Sequence, residues 1–152
     1  MVVFAAALVF DLGTKAWVRA SLPSPDGLEL GSFLALRPWY NEGTTFGLLT
    51  GHTASGLVVL VTVNALAVFA LWWWAAHTRE RWVVLGAALM AAGALGNLID
   101  RLLVGMVTDF IGVHLDAWYS LVFNLADVWV IVGLVLALYG PPSPKSGRDE
   151  VT

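Results

Sequence analysis

Four long apolar stretches, separated by shorter polar segments, dominate the pattern of hydrophobic and polar residues. Each approaches the roughly 20 residues that an α-helix needs to cross a bilayer. After the first stretch, and again in "VTDFIGVHL" after the third, apolar residues alternate with small or polar ones, which predicts short strands and turns. We therefore predict transmembrane helices at about 2–22, 54–76, 82–104 and 121–140, with an outer β or loop segment at 23–53.

Composition agrees with an integral membrane protein. Of the 152 residues, 59% are hydrophobic and 12% are charged, whereas soluble domains carry about 25% charged residues. Cysteine is absent, which excludes disulfides, thiolate metal sites and a cysteine nucleophile. The three histidines are scattered rather than at ligand spacing, which makes another class of enzyme unlikely. The net charge is −3 and there is no basic run, so nucleic acid is not expected as a partner.

The distribution of positive charge predicts the orientation in the membrane. Lysine and arginine close to the ends of membrane spans are retained in the cytoplasm. The connection between the second and third stretches carries Arg79 and Arg81, and the tail carries two more basic residues, whereas the opposite side has Arg37 alone. Both termini are therefore predicted to be cytoplasmic. We expect a single membrane domain over 1–140 and a disordered, proline-rich tail over 141–152.

The fourth apolar stretch contains an aspartate. Asp127 lies six residues past Leu121, about two turns into the predicted span. A charged residue at the centre of a membrane helix costs about 2.5–3.5 kcal/mol even on lenient scales, so such residues usually mark function. Asn124 precedes Asp127 by three positions, which predicts that both side chains lie on one helix face.

The third stretch carries a polar stripe of its own. Gly93, Asn97, Asp100 and Arg101 follow helical spacing. Small residues such as Gly86 and Gly96 would let neighbouring helices approach closely. From residue types alone, a structural reading remains open, in which Asn97 bonds to another helix and Asp100 pairs with Arg101 at the headgroup level. In the first stretch, Asp11 and Lys15 are expected to neutralise each other at i and i+4.

Two aspartates, considered together, indicate a candidate catalytic pair. Asp109 alone fits a solvated loop residue at the exit of the third span. Because the third span runs outward and the fourth returns, Asp109 and Asp127 can reach similar depth on the outer side. Two carboxyl groups that share a site hold one proton between them. One can then activate water while the other donates a proton, which is aspartic protease chemistry.

Five short motifs occur in order along the chain. They are "DLGTK" (Asp11 to Lys15), "NEGTTFG" (Asn41 to Gly47), "GALGNLIDR" (Gly93 to Arg101), "VTDF" (Val107 to Phe110) and "FNLAD" (Phe123 to Asp127). Together they resemble the successive motifs of the bacterial lipoprotein signal peptidases, the signal peptidase II family. The resemblance extends from the first apolar stretch to the last.

The resemblance implies a mainly α membrane protein, a four-helix aspartic protease with a small extracytoplasmic β element called a cradle. It also implies the bacterial cytoplasmic membrane and an active site toward its outer side. Members of this family remove the signal peptide from prolipoproteins, cutting before a diacylglyceryl-modified cysteine. The matched catalytic pair is Asp109 and Asp127. Matched positions that line the site, orient the pair or contact substrate are Asn41, Gly93, Asn97, Arg101 and Asn124, with Asp11 in a supporting role.

Partners follow from the same resemblance. We expect a lipid-modified prolipoprotein as substrate, contact with membrane lipid, inhibition by globomycin, and a monomer. The competing hypothesis is a small transporter or proton relay that uses Asp11, Lys15, Asp109 and Asp127. A relay would need ionisable groups that continue toward the cytoplasmic half of the helices. The inner halves of the second, third and fourth stretches are almost free of charge, which favours the peptidase.

Overall fold

A computed structural model describes residues 1–22, 27–43, 54–114 and 120–141. Within these ranges the chain forms helices and one small antiparallel sheet. The predicted tail at 141–152 lies outside the described residues except for its first position. In chain order the elements are α1 (Val2–Ser21), β1 (Leu28–Glu29), β2 (Leu34–Asn41), α2 (Ala54–His77), α3 (Arg81–Val104), β3 (Val107–His114), β4 (Ser120–Phe123) and α4 (Leu125–Tyr139).

The first three helices lie where the apolar stretches predicted them. By length and composition, two helices of the described chain could cross a membrane, one over Ser55–His77 and the other over Arg81–Val104. α1 has 20 residues but carries three charged side chains, and α4 has 15 residues. Many apolar side chains of α2 are exposed, among them Val58, Val63, Leu66 and Phe69.

The predicted start of the fourth helix at 121 is wrong. Residues Ser120–Phe123 form β4, which pairs with β3, and α4 begins only at Leu125. Asn124 is the N-cap of α4. A short apolar strand and an apolar helix give the same hydropathy signal, so the pattern merged the two elements. As a result, Asp127 lies in the first turn of its helix and not in the second.

The strands predicted in the outer segment and after the third helix are confirmed. The sheet order is β1-β2-β3-β4, and every neighbouring pair is antiparallel. The pairing of β2 with β3 places Trp39 opposite Asp109 and Asn41 opposite Val107, after a shift in register that begins at Leu36. Pro38 lies inside this irregularity, and proline cannot donate to a ladder. The sheet thereby brings the end of β2 beside Asp109.

Glycines allow α3 to pack closely against its neighbours, as the small-residue pattern predicted. A side chain at Gly86 would meet the carbonyl of Gly133 in α4, and one at Gly133 would meet the carbonyl of Gly86. A side chain at Gly93 would meet the Ala126 carbonyl, and one at Gly96 would meet the carboxylate of Asp11. These close contacts bring the first turn of α4 and the middle of α1 against α3.

Candidate active site

Asn124 links the two aspartates that the sequence singled out. Its Nδ2 donates to Oδ1 of Asp109 at 2.6 Å, and its backbone N–H donates to Oδ2 of Asp127 at 3.1 Å. The other Asp109 oxygen accepts from Nδ2 of Asn41 at 3.0 Å. Asp109 is 4% exposed and Asn124 is fully buried. The two carboxyl groups thus bind the same buried residue, one through its side chain and the other through its backbone.

The local sequence explains how Asp127 is held. Asn124 accepts from the Asp127 backbone N–H at 3.1 Å, while Asp127 accepts from the Asn124 backbone N–H. This reciprocal pair is a capping box, which satisfies N–H groups left free at a helix start.

Asn97 connects the carboxyl pair to the helix bundle. Its Nδ2 donates to Oδ1 of Asp127 at 3.1 Å. Its Oδ1 accepts from Nδ2 of Asn124 at 3.2 Å and from Nζ of Lys15 at 2.8 Å. Because the ammonium of Lys15 can only donate, it fixes which end of the Asn97 amide faces Asp127.

Asp11 and Lys15 form the predicted pair, at 2.9 Å between Oδ2 and Nζ, and both side chains are completely buried. The second Asp11 oxygen accepts from the backbone N–H of Ala126 at 2.9 Å. Ala126 directly precedes Asp127. Asp11 therefore holds the first turn of α4, although it does not touch the carboxyl pair within the described hydrogen bonds.

The alternative pairing of Asp100 with Arg101 is wrong. Asp100 is 2.8 Å from Nη1 of Arg19 and 3.8 Å from Nζ of Lys15. Arg101 instead donates to the carbonyls of Asn97 and Gly43, at 3.3 and 3.2 Å. Consecutive residues of a helix point about 100° apart, so the two side chains reach different neighbours. Arg101 is close enough to interact electrostatically with Asp109, Asp127 and, to a smaller extent, Asp100, but it forms no described ion pair with Asp100.

The described part of the "NEGTTFG" motif closes one side of the site. Besides donating to Asp109, Asn41 accepts from the backbone N–H of Gly43 at 3.0 Å. The carbonyl of Gly43 in turn receives the guanidinium of Arg101. Residues 44–47 of the motif lie outside the described residues. Asn41, Gly43 and Arg101 thus form a connected edge beside Asp109.

Burial dominates the acidity of Asp109. It is the main reason that the pKa of this carboxyl lies at about 6 instead of 3.8. The hydrogen bond from Asn41 acts in the opposite direction, the negative charge of Asp127 raises the pKa further, and the hydrogen bond from Asn124 lowers it. Asp109 therefore holds its proton to a higher pH than an exposed carboxyl group does.

Several contacts of the site were not visible in the sequence. Arg19 and Thr108 bind Asp100 from α1 and β3, and nothing in their spacing indicated this. Gly93 packs against the Ala126 carbonyl, so its contribution is close packing of α3 and α4. Among the described residues, no group of three or more His, Cys, Asp or Glu side chains could hold a metal ion.

Known proteins share both the sequence and the fold. A family model described as signal peptidase (SPase) II matches residues 3–140. Two similar relatives are lipoprotein signal peptidases. The one from Sinorhizobium fredii is 41% identical over 84% of this chain and 76% of its own, and the one from a Methylobacterium species is 39% identical over 86% and 80%. Two solved structures of a bacterial membrane enzyme superpose with a TM-score of 0.77, at 26% and 27% identity, over 89% of this chain and 82% and 86% of theirs.

The fold is that of a membrane enzyme, and the family whose model matches is one of aspartic proteases. The family match covers nearly the whole chain. The chain belongs to the signal peptidase II family, whose members remove signal peptides from prolipoproteins. This membership favours the peptidase over the proton relay.

The pH dependence of cleavage tests the environment of Asp109. The value of kcat/KM reports ionisations of the free enzyme. If Asp109 acts in its protonated form, kcat/KM should fall with a midpoint of about pH 6 as this proton is lost. Asn41→Leu should move the midpoint upward, because it removes a hydrogen bond that favours the ionised carboxyl. Glu29→Gln, on exposed β1, should leave it unchanged. A midpoint that stays in place or moves downward in Asn41→Leu would contradict this account.

Proposed function

We propose that this protein cuts prolipoproteins directly before a diacylglyceryl-modified cysteine, with Asp109 and Asp127 as the catalytic pair. The single observation that supports the pair most directly is Asn124, whose side chain and backbone bind the two carboxyl groups. An aspartic mechanism needs two carboxyl groups around one site and one proton between them.

The environments of the two carboxyl groups support different roles. Asp127, at a helix start and half-buried, is the ionised base that takes a proton from water. The water oxygen then attacks the scissile carbonyl carbon, and Asp109, whose pKa is raised by burial, donates its proton to the carbonyl oxygen. When the tetrahedral intermediate collapses, Asp109 recovers this proton and Asp127 passes its own to the leaving amine. Both carboxyl groups return to their starting states.

The surrounding residues hold this geometry. Asn97 and Asn124 fix the rotamers of the pair by donating to carboxylate oxygens. Arg101 supplies positive charge that stabilises developing negative charge on the substrate. Asn41 donates to Asp109 and is proposed to help orient it. The lack of a side chain at Gly93 lets the Ala126 carbonyl of α4 pack against α3, and Asp11 accepts from the Ala126 N–H group.

All four helices are proposed to span the bacterial cytoplasmic membrane, with both termini cytoplasmic and the sheet outside. Residues 1–140 would then form one peptidase domain, followed by a cytoplasmic tail at 141–152. α1 carries too many charges and α4 is too short to be recognised as membrane spans by composition and length alone. Both helices nevertheless expose apolar side chains that would face lipid, which supports this proposal. They are Val9, Phe10 and Trp17 on α1, and Ile131, Val135 and Leu138 on α4.

The family also suggests the partners. We propose a lipid-modified prolipoprotein that enters from the membrane, direct contact with membrane lipid, and inhibition by globomycin. A monomer is sufficient for the chemistry, because one chain supplies Asp109, Asp127 and the amides that hold them. No cofactor is needed in this mechanism.

The catalytic assignment is tested with purified protein in detergent and a diacylglyceryl-modified prolipoprotein, with loss of the signal peptide followed by mass. Asp109→Asn and Asp127→Asn should each lower the cleavage rate by about 100-fold or more, since each removes a group that transfers a proton. Glu29→Gln should cleave normally. The assignment is wrong if either variant, folded as judged by its melting temperature, cuts at the rate of the wild type.

The topology is tested by cysteine labelling, because the chain contains no cysteine. A membrane-impermeant maleimide should label Ser32→Cys, beside β1, in cells whose inner membrane is intact. It should label Arg79→Cys, between α2 and α3, only after that membrane is permeabilised. Labelling of both positions from the same side would contradict the proposed orientation.

A further inference from the structure

Arg19, near the end of α1, makes two short contacts that no motif indicated. Its Nη1 lies 2.8 Å from Oδ1 of Asp100 in α3 and 2.8 Å from Oγ1 of Thr108 in β3. Asp100 closes the triangle, because its Oδ2 accepts from the backbone N–H of Thr108 at 2.8 Å. Arg19 thus joins three elements of the fold at the residue before Asp109.

The sheet alone supports β3 weakly at this point. β4 pairs with β3 only from Ile111 to His114, so Thr108 and Asp109 have a strand neighbour on the β2 side alone. The Thr108 N–H bonds to Asp100, and Thr108 is completely buried. Successive residues of a strand point to opposite faces, so contacts that fix Thr108 from one face also fix the backbone that carries Asp109 on the other.

We propose that Arg19 is a positioning residue for Asp109, acting through Asp100 and Thr108. This inference rests on the proposed catalytic role of Asp109. Lys15 does not replace Arg19 in this position, because its Nζ is 3.8 Å from Asp100 and its closer contacts are Asp11 and Asn97. Arg19 therefore orients Asp100, and Asp100 holds the start of β3.

Kinetics of four variants and one control variant separate positioning from general stability. Arg19→Gln and Thr108→Val should each lower kcat about tenfold and leave KM unchanged, because small displacements of a catalytic group are costly in rate. The double variant should be no slower than the slower single variant, since both changes break the same contact. Arg19→Lys should recover part of the rate. Arg79→Gln, an exposed arginine between α2 and α3, is the matched control and should behave as the wild type.

Hydrogen exchange provides a reading that does not depend on catalysis. In Arg19→Gln the Thr108 amide should exchange faster, whereas the amides in the middle of α2 should not change. If Arg19→Gln fails to fold, Thr108→Val decides the question, because it keeps every charge and removes only the hydroxyl acceptor.

The inference is overturned if Arg19→Gln or Thr108→Val lowers the melting temperature while kcat of the folded protein stays at the wild-type value, or if their effects add. Failure of the proposed catalytic pair looks different. In that case Asp109→Asn itself would retain activity, whatever the behaviour of the Arg19 variants.

Discussion

One buried cation organises the centre of this protein. Lys15 is completely buried, 2.9 Å from Asp11 and 3.8 Å from Asp100. Each carboxylate also accepts a backbone N–H, Asp11 from Ala126 and Asp100 from Thr108. Ala126 and Thr108 directly precede Asp127 and Asp109. Lys15 is therefore connected, through one carboxylate each, to the backbone next to both proposed catalytic residues. Removing one member of a buried pair costs about 3–5 kcal/mol, because the other charge is left unpaired. The site and the helix bundle are therefore stabilised by the same ion cluster.

Two asparagine side chains connect this ion cluster to the carboxyl pair. Lys15 orients Asn97, and Asn97 contacts both Asp127 and Asn124. Asn124 then reaches Asp109. Every step joins a donor to an acceptor, as buried polar networks require. The positions of the two carboxyl groups are thus fixed by side chains of the helix bundle and, from the sheet, by Asn41. The pair itself stays asymmetric, with Asp109 buried in a strand and Asp127 at a helix start.

The sequence was informative where the signal is local. Apolar length predicted the first three helices, and the i,i+4 spacing predicted the pairing of Asp11 with Lys15. An up-and-down order of helices was sufficient to bring Asp109 and Asp127 toward one region. The sequence was misleading where a strand and a helix share one hydropathy signal, as β4 and α4 do. It was also uninformative where two contacting residues are far apart in the chain. Asp11 reaches an N–H 115 positions away, and Asp100 pairs with α1 instead of its neighbour Arg101. Such contacts depend on helix packing, which no short motif encodes.

The central claim is that Asp109 and Asp127 share one proton. It is tested most directly by infrared difference spectroscopy of the purified protein over a pH titration, which detects a protonated carboxyl group by its carbonyl stretch. We predict one such band that disappears with a midpoint of about pH 6 and is absent in Asp109→Asn. In Asp127→Asn the midpoint should fall, because the negative charge of Asp127 raises the pKa of Asp109. A midpoint that does not respond to Asp127→Asn would show that the two groups are not coupled and would contradict the account.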